Sequence, residues 1–198
     1  MGNYADMVTR TTSRQASNIA ALFKNPDHDL YQINEHGTTC PLCAPFEGRV
    51  YSRSGTSEIY PPLSDAFGKI DPTGSNDLSN TYLNIHPNCL HVLKIFREEW
   101  YDQEELDKFR EFSNPETNPY NVDPRTKAQQ EAYRKKEQAR TKALNDYKQF
   151  ERYTAVLGEG FPKTPQTFIK HKRVNSEKYQ GWMNEYRRRN AEIKKITG

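Results

Sequence analysis

Two short segments, far apart in the chain, constrain it more than anything else does. The first is Cys40-Pro41-Leu42-Cys43; the second is His86-Pro87-Asn88-Cys89-Leu90-His91. The first pair places two thiolates close enough for one ion, and the second segment adds Cys89 with histidines on both sides. Zinc favours four tetrahedral N or S ligands, and structural sites fill all four positions. A metal that joins two distant segments contributes its binding free energy to folding. The residues point to a structural Zn2+ held by Cys40, Cys43, Cys89 and His91, since positions i and i+2 of an extended backbone share a face. His86 is the substitute for His91. The cysteine count of 3 is odd, which suits a metal site better than a disulfide framework. No thioredoxin-like βαβ pattern surrounds the Cys-x-x-Cys pair. The plainer alternative is a set of buried thiols with ordinarily hydrogen-bonded histidines. His36 reads as a turn residue, and His28 and His171 as surface residues without partners.

A chain of this composition has reason to need a metal. Hydrophobic residues are 34% of it, against roughly 45–50% in ordinary globular domains. Aromatic residues reach 12%, and disordered chains are poor in them. The expectation is one modest core plus polar helices whose apolar stripes seek a partner. Residues 1–123 carry 10 Lys/Arg against 18 Asp/Glu, a balance of −8; residues 124–198 carry 19 against 8, a balance of +11. A basic C-terminal part beside an acidic N-terminal part suggests an anionic partner, nucleic acid or an acidic protein face. Plain solvation of exposed helices accounts for the charge equally well. No segment approaches the roughly 18 apolar residues of a membrane span, and Met1 to Arg14 lacks the apolar run of a secretory signal.

The periodicity predicts a helix over Tyr4 to Lys24, short strands over Asp29 to Asn34 and Arg49 to Arg53, and a surface loop over Gly68 to Ser79. A helix is expected over Val92 to Ser113, with Leu93, Phe96, Trp100, Leu106 and Phe109 on one stripe. Two prolines interrupt Asn114 to Asn121. Asp123-Pro124 then reads as the cap and first position of a long helix running from Arg125 to Leu157. Further helices follow over Thr167 to Val174 and Ser176 to Ile196, the latter capped by Ser176. The fold class is α+β: a small zinc-stabilised α/β module over 1–113, a linker over 114–123, and a long, largely helical basic arm over 124–198. Within the arm, Arg187, Arg188, Arg189, Lys194 and Lys195 form the strongest candidate patch for nucleic-acid phosphates. Tyr133, Tyr147, Phe150 and Tyr153 follow the helix stripe and read as packing residues.

The run from His36-Gly37 through Cys40-Pro41-Leu42-Cys43-Ala44-Pro45-Phe46-Glu47-Gly48-Arg49-Val50-Tyr51, then Tyr60-Pro61-Pro62-Leu63, then His86-Pro87-Asn88-Cys89, resembles the phage minor capsid protein 2 family. That family is similar in turn to the Mu F-like head morphogenesis proteins. The opening Tyr4 to Thr11 and the tail from Phe161-Pro162-Lys163-Thr164 to Tyr186-Arg187 resemble it more softly. In the family the His-Pro-Asn-Cys run is usually followed by Arg and then His or Cys. Here Leu90 replaces that Arg, and the His/Cys alternation at position 91 favours His91 as ligand. Family members usually carry a longer region before Tyr4, so the resemblance reads this chain as a fragment or a short relative. The resemblance implies a virion component of the phage head, not an enzyme. Such a protein is made in the bacterial host cytoplasm and sits near the portal. It would assist assembly or DNA entry and exit, with portal, major capsid or scaffold protein, or packaged DNA read without sequence preference, as partners.

Three rival readings have less support. An HNH-like zinc nuclease finds its residue types in His86, Asn88 and His91, but not the expected Asp-His pair or a second Cys-x-x-Cys-His. A zinc deaminase needs His-x-Glu well upstream of Pro-Cys-x-x-Cys, and Glu35-His36 has the wrong order and spacing. A free-standing nucleic-acid-binding zinc module is compatible with the basic arm.

Overall fold

The computed structural model describes residues 2–197, so the outermost ends of the two expected domains, residues 1 and 198, lie outside it. The described chain forms two compact units, Met1–Tyr133 and Arg134–Gly198.

The first unit is organised by a three-stranded antiparallel sheet of β1 (Leu30–Ile33), β2 (Val50–Ser52) and β3 (Leu93–Ile95), in the order β2-β1-β3. Tyr31 of the central strand sits opposite Tyr51 on one side and Ile95 on the other. Alternation sends neighbouring side chains to opposite faces. Tyr31, Ile33 and Tyr51 pack with Leu22 of α1 (Gly2–Phe23) and with Leu63, Ala66 and Phe67 of the short α2 (Leu63–Phe67). Val50 faces the other way, onto Tyr60, Phe96 and Leu106 of α3 (Gln103–Ser113). The sheet is thus covered on both faces, which is why all three residues of β2 are buried.

Asn18 fastens α1 to this layer. Fully buried, it donates to the Leu83 carbonyl at 2.8 Å and accepts from the Leu93 N–H at 3.0 Å.

The structure corrects three expectations. The helix expected over Val92 to Ser113 begins only at Gln103; Leu93 lies in β3, and Phe96 follows it in the sheet's hydrogen-bonding pattern. The reason is local. Asp102 and Glu105 form a reciprocal capping box that fixes the helix start, while Leu93-Lys94-Ile95 completes the sheet. Trp100, placed on that helical stripe, is exposed. The long helix α4 spans Lys127–Leu157, and its start is capped by Thr126 and Gln129, which bond each other's backbone N–H groups, rather than by Asp123. Asp123 is engaged by Arg125 instead.

The second unit contains most of α4 with α5 (Pro165–Arg173) and α6 (Glu177–Thr197). Its core is aromatic: Phe150, Tyr153, Phe161 and Phe168, with Leu157, and with Tyr179, Trp182 and Tyr186 against them. Thr164 caps α5 ahead of Pro165 at the first helical position. Ser176 accepts from Tyr179 N–H at the start of α6, as expected. Gly158, at φ +60°, ends α4 in the left-handed conformation that glycine adopts without strain. No described helix is long and apolar enough to cross a membrane.

Candidate metal centre

Topology brings the two cysteine-bearing segments together. The connection from β1 to β2 carries Cys40 and Cys43, and the segment leading into β3 carries His86, Cys89 and His91. β2 and β3 both run antiparallel to β1, so both segments lie at the end of the sheet where β1 finishes.

Each segment closes as a tight turn with proline at its second position. The Cys43 N–H bonds back to the Cys40 carbonyl at 3.2 Å, and the Cys89 N–H to the His86 carbonyl at 3.0 Å. Asn88 sits at φ +63° in the second turn, the third position of a type II turn, where Asn is tolerated after Pro. Its N–H is held by the Thr11 hydroxyl oxygen of α1 at 3.1 Å.

Five donor side chains converge here. The His86 Nε2 lies 3.2 Å from the Cys40 sulfur and 3.0 Å from the Cys43 sulfur. The Cys43 and Cys89 sulfurs are 3.7 Å apart, and the His91 Nδ1 is 3.3 Å from the Cys89 sulfur. Two triads result, Cys40–Cys43–His86 and Cys43–Cys89–His91, with Cys43 common to both. All three cysteines are free. Sequence reasoning ranked His91 above His86; the structure places both against the sulfurs.

The donor set fits zinc. Zn–S bonds of about 2.3 Å in a tetrahedron put sulfurs about 3.8 Å apart, close to the observed Cys43–Cys89 spacing. Each imidazole has its other nitrogen engaged: His86 Nδ1 on the Pro87 carbonyl at 2.6 Å, His91 Nε2 on Glu47 Oε1 at 2.5 Å. Such outer hydrogen bonds orient a ring toward a metal.

Electrostatics make the same point. Cys43 donates toward both neighbouring sulfurs, which drives its own pKa far up. Those bonds bring Cys40 down to about 4, against the opposing effect of burial, and Cys89 down to about 3. Burial opposes a charged His91, but Cys89 and Glu47 outweigh it and push its pKa up to about 9. The hydrogen bond to Cys40 likewise raises His86. A dication bound here would take all three sulfurs as thiolates and expel protons on binding.

Sequence reasoning missed Glu47, four residues beyond Cys43, and Thr11 and Arg125, whose contacts with this centre come from remote segments that carry no spacing signal. His36 does sit in the turn region, packed edge-on against His91 with ring centroids 4.6 Å apart. His28 and His171 are not free surface residues: His28 bonds the Phe96 carbonyl at 2.7 Å, and His171 bonds the Ser176 hydroxyl at 2.9 Å. In the arm, Arg188 pairs with Glu185 and Glu192. Arg189 bonds Glu185 and the Val156 and Leu157 carbonyls at the end of α4. Arg187, Lys194 and Lys195 are exposed.

Fold and site together define a small α+β module built around a Cys/His cluster and continued by a helical region. The chain belongs to the phage minor capsid protein 2 family, whose model matches residues 1–186. Membership makes it a structural protein of the phage minor capsid class. No curated protein and no solved structure matches it.

Proposed function

We propose that this minor capsid protein is a zinc-stabilised structural component of the head. Cys40, Cys43, Cys89 and His86 hold one structural Zn2+, and it acts in head assembly near the portal or in DNA packaging and ejection. The observation that carries the metal reading is the pair of matching turns: each is closed by the same backbone bond, and together they offer ligands at first and fourth positions.

That pairing supports His86 ahead of His91. Its Nε2 approaches two sulfurs, whereas His91 approaches one and is anchored on Glu47. His91 then flanks the Cys89 sulfur and shields it from water. Four protein ligands fill a tetrahedral ion and leave no position for an activated water, which accords with a structural role.

Zinc analysis of the reduced chain with chelator competition tests this reading. The wild type is expected to hold a single zinc ion, and Cys40→Ser and Cys89→Ser to lose it. His86→Ala is expected to release zinc faster than His91→Ala. A metal-free wild type rejects the site, and the opposite order of the two histidines assigns the fourth ligand to His91.

Partners are proposed among other head proteins, the portal, major capsid or scaffold protein, and in packaged DNA contacted without sequence preference. Arg187, Lys194 and Lys195 are the freest members of the basic patch. Retention on duplex DNA is expected to be weak and to fall steeply with salt. No retention at low salt assigns the charge to a protein interface.

A further inference from the structure

The Arg125 side chain fastens the start of α4 to the first cysteine turn. Arg125 precedes the helix by two residues, and its side chain is only 8% exposed. Its Nη1 donates to the carbonyl of Thr39 at 3.0 Å, the residue immediately before Cys40. Its Nε and Nη2 donate to the two Asp123 oxygens at 2.9 and 2.8 Å, which fixes the plane of the fork. The guanidinium also lies 5.4 Å from the centroid of the Tyr133 ring, in the second turn of the helix. Packing does little for this stretch of helix: none of the described residues 127–145 is buried. A helix without a buried face owes its order to its ends and to whatever ties it down.

We propose that Arg125 is a positioning residue through which the metal turn and the first turns of α4 stabilise one another. Closing the Cys40–Cys43 turn on a metal fixes the Thr39 carbonyl where the guanidinium reaches it. The docked guanidinium in turn restrains the backbone that presents Cys40. Asp123 offsets much of the charge of Arg125, so the coupling rests chiefly on the directed hydrogen bond to Thr39. Linkage makes the effect reciprocal: whatever factor the metal adds to docking, docking adds to metal affinity. The proposal rests on the zinc reading above and goes beyond it, since the ligands alone do not require any contact with the arm.

The test uses the full chain loaded with zinc, comparing wild type, Arg125→Ala and Arg125→Lys. Hydrogen exchange over residues 127–133 reports docking, and competition with a chromophoric chelator reports zinc affinity. Arg125→Ala is expected to speed exchange there and to weaken zinc binding by a similar factor, on the order of tenfold. Exchange around Phe150 and Phe168 is expected to stay unchanged, which separates release of the start of α4 from unfolding. Arg125→Lys keeps the charge but loses the fork, and it is expected to fall between the two. Faster exchange with wild-type zinc affinity reduces Arg125 to a local helix anchor and overturns the coupling. Unchanged values for both overturn it as well. A wild type without zinc overturns the metal reading itself and the coupling with it.

Discussion

Phe168→Ala tests whether the second unit stands on its own aromatic core. Phe168 is fully buried. Its ring centroid lies 5.5 Å from Phe161, 5.7 Å from Tyr153, 5.8 Å from Tyr179, 6.0 Å from Phe150 and 6.3 Å from Trp182. Truncating a buried Phe costs about 3–5 kcal/mol in transfer and cavity terms. Five aromatic neighbours from α4, α6 and the α4–α5 linker border the hole, so it has little freedom to collapse, and the upper half of that range applies. At roughly 0.05–0.15 kcal/mol per residue, a unit spanning Arg134–Gly198 holds on the order of 3–10 kcal/mol in all. The substitution therefore removes about half of its stability or more. Trp182 packs on Phe161 and His171 in this core, whereas the only other tryptophan, Trp100, is exposed in the first unit. Urea unfolding followed by tryptophan fluorescence is expected to show an early transition in Phe168→Ala, with zinc content unchanged. A loss below about 1 kcal/mol, typical of surface changes, refutes the packing argument. Loss of zinc in step with that transition refutes the independence of the two units.

Arg49 is 1% exposed, its Nε donates to the Pro45 carbonyl at 2.6 Å, and its guanidinium lies 4.7 Å from the Tyr120 ring. Among the described residues no carboxylate is paired with it and its Nη1 has no hydrogen-bond partner, and burial holds its pKa below the ordinary arginine value. Arg49→Met keeps the volume and is expected to stay within about 1–2 kcal/mol of wild type or exceed it; Arg49→Ala leaves a cavity and is expected to cost about 2–5 kcal/mol in chemical denaturation. Asp29 accepts from the Ser52 hydroxyl and the Ser54 N–H, both at 2.7 Å. Burial opposes its charge, but these bonds and Arg53 together hold its pKa below the carboxylate value of 3.8. A depressed pKa contributes stability that is full above the unfolded value and is lost as pH falls through the folded one. Asp29→Asn is therefore expected to cost about 1–2 kcal/mol near neutrality and to flatten the acid limb of a stability–pH curve; an unchanged acid limb removes Asp29 from that role.

The candidate site was legible in the sequence because metal chemistry leaves its mark in spacing. Cys40-x-x-Cys43 and His86-x-x-Cys89 are local patterns, and each closes as a local turn. The preference proposed for His86 over His91 was not legible, since it rests on the approach of the His86 Nε2 to two sulfurs, which only the folded chain displays. Helices α1, α4, α5 and α6 were readable within a few residues from their periodicity and breakers. β3 was not: Leu93, Phe96 and Trp100 satisfy a helical spacing, and only the sheet's vacant edge beside β1 together with the Asp102–Glu105 box decides against it. The boundary expected at 114–123 rested on two prolines. The compact units divide after Tyr133, and Arg125, which ties the residues after those prolines to the first unit, carries no such mark in the sequence.

Arginine performs here a task that apolar side chains perform in richer cores. Arg53 reaches the Leu22, Asn25 and Pro26 carbonyls just where α1 ends. Arg189 does the same for α4 through the Val156 and Leu157 carbonyls. Arg49 and Arg125 end on the Pro45 and Thr39 carbonyls, on either side of the cysteine turn. In each case a rigid fork of N–H donors satisfies carbonyls that a helix end or turn would otherwise leave to water, and a helix C-terminus favours the positive charge as well. With 34% hydrophobic residues, the chain has few apolar side chains to hold such segments by packing. These arginines are fastened to the protein's own backbone, so part of its positive charge is structural. A DNA-facing surface on the arm is to be sought among its exposed lysines and the exposed Arg152, Arg173 and Arg187. Lys194→Gln together with Lys195→Gln should then reduce the salt dependence of DNA retention without lowering the unfolding midpoint of the second unit. Arg189→Gln should instead lower that midpoint, because it releases the end of α4. Equal effects of the two substitutions on both measurements would show that the arginine cluster is a phosphate patch after all.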